Sequence, residues 1–206
     1  MTNDPDLEGA YALTSLEETK RLYAAWAETY DTGFGQAQGY LLPREVVRVC
    51  VELGVQGPVL DVGAGTGLVG EGLGAAGIDP VDGLDLSPEM LGVARSKEIY
   101  RELIAADVTK PMTLAPYAGI VSAGTFTLGH VGPVGIAQLL VAATSGCQFV
   151  VSVNAEHYES AGFAQFFDER ATQIDRFKTQ DVRIYSDKAD PEHRTDIGRL
   201  VSFRKT

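Results

Sequence analysis

The sequence predicts an α/β fold, a doubly wound parallel sheet with helices on both faces. Three observations predict it. From Val59 onward, short strand-like apolar runs alternate with segments whose apolar residues recur at helical spacing. A glycine-rich segment, Asp61-Val62-Gly63-Ala64-Gly65-Thr66-Gly67, directly follows the first of those runs. Residues 147–153 form an apolar run of the kind found in a strand covered on both faces. The length of 206 residues suits one such domain, expected over 16–206, with a frayed polar segment at 1–15.

Each element has a local reason. Over residues 16–30, Leu22, Tyr23, Trp26 and Tyr30 fall at helical spacing. Gly33, Gly35 and Gly39 then break the pattern, so 16–42 reads as an N-terminal helix and a mobile lid. Pro43 opens a helix to about Leu53. Strand one covers 58–62, and a helix runs from Leu68 to Ala76, where Gly77 ends it. Strand two is 81–86. Ser87, Pro88 and Glu89 then supply an N-cap, a first-position proline and an acid for the next helix. Strands three and four are expected at 103–108 and 119–123, a helix near 136–143 and strand five at 147–153. A helix over 163–174 and closing strands at 182–185 and 200–203 complete the set.

Composition narrows the function. The formal net charge of −11 repels phosphate backbones, which disfavours nucleic acid as a partner. No apolar run reaches the roughly 20 residues that span a bilayer, and the acidic N-terminus lacks a secretory pattern. A cytoplasmic protein without membrane partners is expected. Cys50 and Cys147 read as reduced core residues. His130, His157 and His193 show no metal-ligand spacing, so no metal is expected.

The glycine loop carries the chemistry. Gly63, Gly65 and Gly67 let backbone approach a ligand and adopt positive φ, with Ala64 between them and a helix N-terminus behind. Gly65-x-Gly67-x-x-Gly70 also fits the dinucleotide pattern, and so an NAD-dependent oxidoreductase. Asp61 argues against a pyrophosphate and for a cationic ligand with ammonium and sulfonium groups, such as S-adenosylmethionine. Asp85, ending strand two, suits two ribose hydroxyls. Asp107 suits the adenine amino group or a simple turn. Met90 suits the adenine face or the core.

These residues bring a family into view. Residues 59–67 resemble the first motif of the class I S-adenosylmethionine methyltransferases, and Gly83-Leu84-Asp85-Leu86-Ser87-Pro88-Glu89-Met90-Leu91 resembles their second-strand motif. Ala105-Ala106-Asp107-Val108 and residues 120–125 take the places of the third and fourth. Tyr23-Ala24-Ala25-Trp26-Ala27-Glu28-Thr29-Tyr30-Asp31 resembles the helix that closes over the donor. Gly67-Leu68-Val69, Ile99-Tyr100-Arg101-Glu102-Leu103 and residues 124–133 are similar to the methyltransferase-like family of the Williams–Beuren syndrome chromosomal region. The resemblance implies a Rossmann-like seven-stranded sheet in the order 3-2-1-4-5-7-6, with the last strand antiparallel. It also implies S-adenosyl-L-methionine as cofactor, with Leu86, Val108, Ala123 and Tyr30 joining the glycines and acids around it. Ala123-Gly124-Thr125-Phe126 stands where the superfamily's nucleic-acid amine methylases carry an Asn/Asp-Pro-Pro-Tyr motif.

Methyl transfer is an in-line displacement, so positioning matters most and a base helps only if the acceptor must lose a proton. His130, after strand four, reads either as that base or as a loop or capping residue. In Asn154-Ala155-Glu156-His157-Tyr158, His157 and Tyr158 read as acceptor contacts or as a polar loop over the site. The expectation is a methyltransferase for a small-molecule acceptor. A non-catalytic module that binds the same donor is the alternative.

Overall fold

The computed structural model describes residues 16–206. The expected fraying of 1–15 lies outside the described residues. Seven strands form one sheet in the order β3-β2-β1-β4-β5-β7-β6. They are β1 (Val59–Val62), β2 (Val81–Asp85), β3 (Leu103–Ala105), β4 (Gly119–Phe126), β5 (Gln148–Asn154), β6 (Ile174–Arg183) and β7 (Ile197–Lys205). The first five pair in parallel, and β7 lies antiparallel between β5 and β6. This is the order and orientation that the family resemblance implied.

Seven α-helices accompany the described strands: α1 (Leu16–Trp26), α2 (Leu42–Glu52), α3 (Leu68–Ala75), α4 (Pro88–Ser96), α5 (Pro133–Ala142), α6 (Ala155–Ser160) and α7 (Phe163–Asp168). Prolines open α2, α4 and α5, where a missing N–H costs nothing. The Ser87 hydroxyl accepts from the Met90 N–H and caps α4 at 3.2 Å. Alternate residues of β1 divide the core between two layers. Leu60 and Val62 face α5 to α7 through Ile136, Leu139 and Phe163, whereas Val59 faces α2 and α3 through Val46, Cys50 and Leu73.

Four expectations about elements need correction. The first helix ends at Trp26, and a π-helical segment, Tyr30–Gln36, runs through the glycines that were expected to be irregular. The helix expected over 163–174 stops at Asp168. Ile174 belongs instead to β6, a ten-residue edge strand of which only the end, 182–183, was foreseen. Seven of its residues are charged or polar, so no apolar alternation announces it. Strand three is only Leu103–Ala105. Strand four runs on to Phe126 because Gly124, at φ +82°, absorbs a register shift.

Candidate active site

The carboxyl ends of β1, β2 and β4 open onto one cavity, at the position where doubly wound sheets bind ligands. Its floor is the glycine loop. Gly63 and Gly65 have φ +69° and +54°, and a Cβ on Gly63 would sit 1.8 Å from the Thr125 hydroxyl. Only glycine fits there, and the bare backbone it leaves is a cradle for a ligand. Thr125 and Ser122 both donate to the Val62 carbonyl, at 3.0 and 2.7 Å, fixing the end of β4 to the end of β1.

Asp85 closes the second strand beside this cradle. One carboxylate oxygen accepts from the Gly65 N–H and the other from the Ser87 N–H, each at 2.8 Å. Burial raises its pKa despite those bonds. Leu86, Met90, Val108 and Asp107 form the adjoining wall. Asp107 makes an Asx turn, with Oδ1 accepting from the Thr109 N–H and hydroxyl, so its turn role and its place on the wall coexist. Ala64 and Ala123 also line the cavity.

Two predicted ligand contacts stand elsewhere. Asp61 is fully buried outside the cavity wall. Strand alternation sends it with Val59 to the α2–α3 face, where the Tyr100 hydroxyl donates to it at 2.7 Å. Burial pushes its carboxyl up to about 7, against the Tyr100 hydrogen bond and helped by the Asp85 charge. Asp61 thus lies behind the loop and off the cavity lining, held by Tyr100, instead of beside the cradle where the sequence suggested an ammonium contact. Gly67 is a left-handed N-cap for α3 at φ +101°, packed on Ile99 and Tyr100, and is not part of the wall. Gly70 has a similar explanation: a Cβ there would meet the Tyr100 ring at 2.5 Å. The dinucleotide-like glycine spacing thus serves the packing of a tyrosine.

Among the proposed catalytic side chains, His130 lines the cavity and His157 and Tyr158 do not. Residues 155–158 form the start of α6 instead of a loop. Asn154 caps that helix by accepting from the His157 N–H, and the His157 ring bonds the Val131 carbonyl at 3.0 Å. Tyr158 stacks on Phe163, with the Arg199 guanidinium 4.8 Å from its ring centroid. These contacts hold both side chains away from the cavity lining. His130 Nε2 is buried and, among the described residues, has no hydrogen-bond partner. Burial, with His157 nearby, pulls its pKa down to about 4, so the ring is neutral at physiological pH.

Above the cradle sits the N-terminal segment. Tyr23 and Tyr30 line the cavity with ring centroids 6.0 Å apart, and Tyr23 meets His130 edge-on at 5.8 Å. Asp31 ties this lid to the floor, accepting from the Thr66 hydroxyl at 2.5 Å and from Lys97 Nζ at 2.6 Å. Lys97 also reaches Glu71 at 3.0 Å. Tyr40 and Tyr185, paired in an isolated bridge, complete the far wall. The sequence placed Tyr23 and Tyr40 only within the helix and lid expected over the donor, and assigned no role to Tyr185 or to this latch. Tyr185 lies far along the chain, past a polar edge strand, and nothing in the residue pattern links it to the glycine loop.

Comparison with known proteins agrees with this geometry. A family model for a methyltransferase domain matches residues 59–145. Methyltransferase-like protein 27 of Homo sapiens is 33% identical over 102 residues, covering 47% of this chain and 41% of its own length. That similarity supports the finer resemblance noted in the sequence, and the chain spans less than half of that relative. Among solved structures, magnesium protoporphyrin IX methyltransferase from Synechocystis, with S-adenosylmethionine bound, has a TM-score of 0.59 at 19% identity, covering 85% of this chain and 82% of its own. A TehB-like S-adenosylmethionine-dependent methyltransferase from Corynebacterium glutamicum gives 0.57 at 21% identity, covering 78% and 87%. The shared fold places the same sheet beneath both.

Proposed function

We propose that this chain, whose residues 59–145 match a methyltransferase-domain model, is a class I S-adenosylmethionine-dependent methyltransferase that methylates a small molecule by in-line transfer. The observation that carries the reading is one cavity in which the glycine cradle and the β2 acid meet a chamber roofed by Tyr23 and Tyr30. The cofactor, when bound, supplies a methyl carbon activated by a positively charged sulfur. The residues present fit it. Gly63 leaves backbone bare where a side chain would clash with Thr125, and Gly65 does so at a positive φ that side chains disfavour. Asp85 has further lone pairs for ribose hydroxyls beyond its two backbone bonds, and Leu86, Met90 and Val108 offer an apolar slot for adenine. The lid excludes water and holds the acceptor in line, which accounts for most of what such a reaction requires.

A small acceptor is supported by the roofed cavity and by the net charge of −11, which opposes a polyanionic partner. Among the described residues no helix is long and apolar enough to cross a membrane. Two measurements test the proposal. Calorimetry should show binding of S-adenosylhomocysteine and none of NADH; the reverse would indicate an oxidoreductase. Labelled methyl transfer into a cell extract should place label in the small-molecule fraction. Label in RNA or protein would overturn the acceptor class, and donor binding without any transfer would indicate a binding module.

A further inference from the structure

We infer that the acceptor is an amine that meets the donor as the neutral base and leaves as a methylated cation. The inference rests on the methyltransferase reading and narrows it to one class of nucleophile. Charge is the first ground. The only formally charged side chains among the cavity's described lining residues are Asp85 and Asp107; no lysine or arginine is present. An anionic acceptor held beside the donor would lose its hydration and face Asp85 and Asp107, with no lysine or arginine among the described lining residues. A neutral base meets no such penalty, and the cation it becomes faces two acids instead of a like charge.

Protons are the second ground. An alcohol or phenol must surrender a proton as it attacks. The imidazole beside the chamber, His130, is held neutral by burial and accepts a proton poorly. Burial and the Asp85 charge likewise raise the Tyr23 phenol, which stays protonated. A neutral amine needs no base in the transfer step; an acceptor that arrives as its ammonium form gives its proton to water before it enters the chamber. Its lone pair forms the new nitrogen–carbon bond, and the carbon–sulfur bond breaks with its electron pair passing to sulfur. The positive charge thereby moves from sulfur to nitrogen. A primary or secondary amine then sheds its extra proton to water after release, and a tertiary amine remains a quaternary cation.

The third ground is the wall itself. Tyr23, Tyr30, Tyr40 and Tyr185 line the chamber, with Tyr40 and Tyr185 centroids 5.9 Å apart. Tyrosine faces attract an ammonium group through the ring quadrupole. His130 Nε2, buried with no partner among the described residues, offers the ligand one directional hydrogen bond.

The test uses a product-like probe on the full chain loaded with S-adenosylhomocysteine. Affinities for benzyltrimethylammonium, its uncharged carbon isostere neopentylbenzene and the anion phenylacetate are compared by ligand-observed NMR. The ammonium should bind about three- to thirtyfold more tightly than the isostere, the range of desolvated cation–π contacts, and more tightly than the anion. Tyr40→Leu should erase most of that preference while Tyr40→Phe keeps it; Tyr23→Leu and Tyr23→Phe repeat the comparison should Tyr40→Leu fail to fold. Equal binding of ammonium and isostere, preference for the anion, or no binding of any probe to the loaded protein overturns the inference. Failure to load S-adenosylhomocysteine fells the donor reading itself and the inference with it, and so is distinguishable.

Discussion

Asp85 performs two tasks with one carboxylate, shaping the glycine loop through Gly65 and Ser87 and facing the cavity. Asp85→Ala should weaken S-adenosylhomocysteine binding by roughly 1.5–3 kcal/mol, the scale of hydrogen bonds to a charged group, read by calorimetry. Unchanged affinity would remove Asp85 from the donor site. Asp61 makes a different prediction. Burial raises its folded-state pKa to about 7, whereas the unfolded chain releases that proton near pH ~4. The native state therefore binds the extra proton, and this group's contribution to stability declines as pH climbs from about 4 to 7. Asp61→Asn cannot titrate. Denaturant midpoints at pH 5 and pH 7.5 should shift in the variant's favour at the higher pH, and a constant difference between the two proteins would contradict the assignment. At this scale the sequence was half legible. Spacing after β2 located Asp85. The alternation of β1 fixes which face Asp61 takes, but its partner Tyr100 comes from a turn 39 positions away.

Between the lid segment and the floor, the Asp31 carboxylate joins Thr66 and Lys97. Asp31→Ala and Thr66→Val should each speed backbone hydrogen exchange in residues 30–36 and lower donor affinity by about 0.5–1.5 kcal/mol, the net scale of one hydrogen bond. Unaltered exchange would mean that the latch does not hold the lid. The lid's conformation escaped the sequence because glycines signal irregularity equally well whether or not a π-helical turn results. Edge strand β6 escaped for the opposite reason. Asp181 and Asp175 on it are tied to Arg199 and Arg204 of β7, so cross-strand charge pairs replace the apolar alternation on which sequence reasoning depends. Strands one, two and five were readable because each is buried along its length.

At the level of the molecule, the sheet is held by two apolar layers. Phe149 on β5 stacks on Phe203 of β7 with centroids 4.5 Å apart and planes 13° from parallel. Both rings are fully buried. Phe149→Ala should cost about 3–5 kcal/mol, the usual range for a large buried ring, measured by denaturant unfolding. A loss under 1 kcal/mol would mean the parallel-to-antiparallel seam is held by something else. The α/β class was legible from the glycine loop and the apolar runs, and the strand order only from the family resemblance that those motifs carry. The cavity's far wall was not, since Tyr40 and Tyr185 meet only once the whole sheet is assembled.

The bonds from Ser122 and Thr125 to the Val62 carbonyl weld the two strand ends that carry the glycine cradle and the turn leading to His130. The Asp31 contacts to Thr66 and Lys97 then lie between the roof and a floor joined across β1 and β4. Should their opening gate the exchange of ligands, turnover would fall as solvent viscosity rises, whereas a rate set by the transfer step would be indifferent to it.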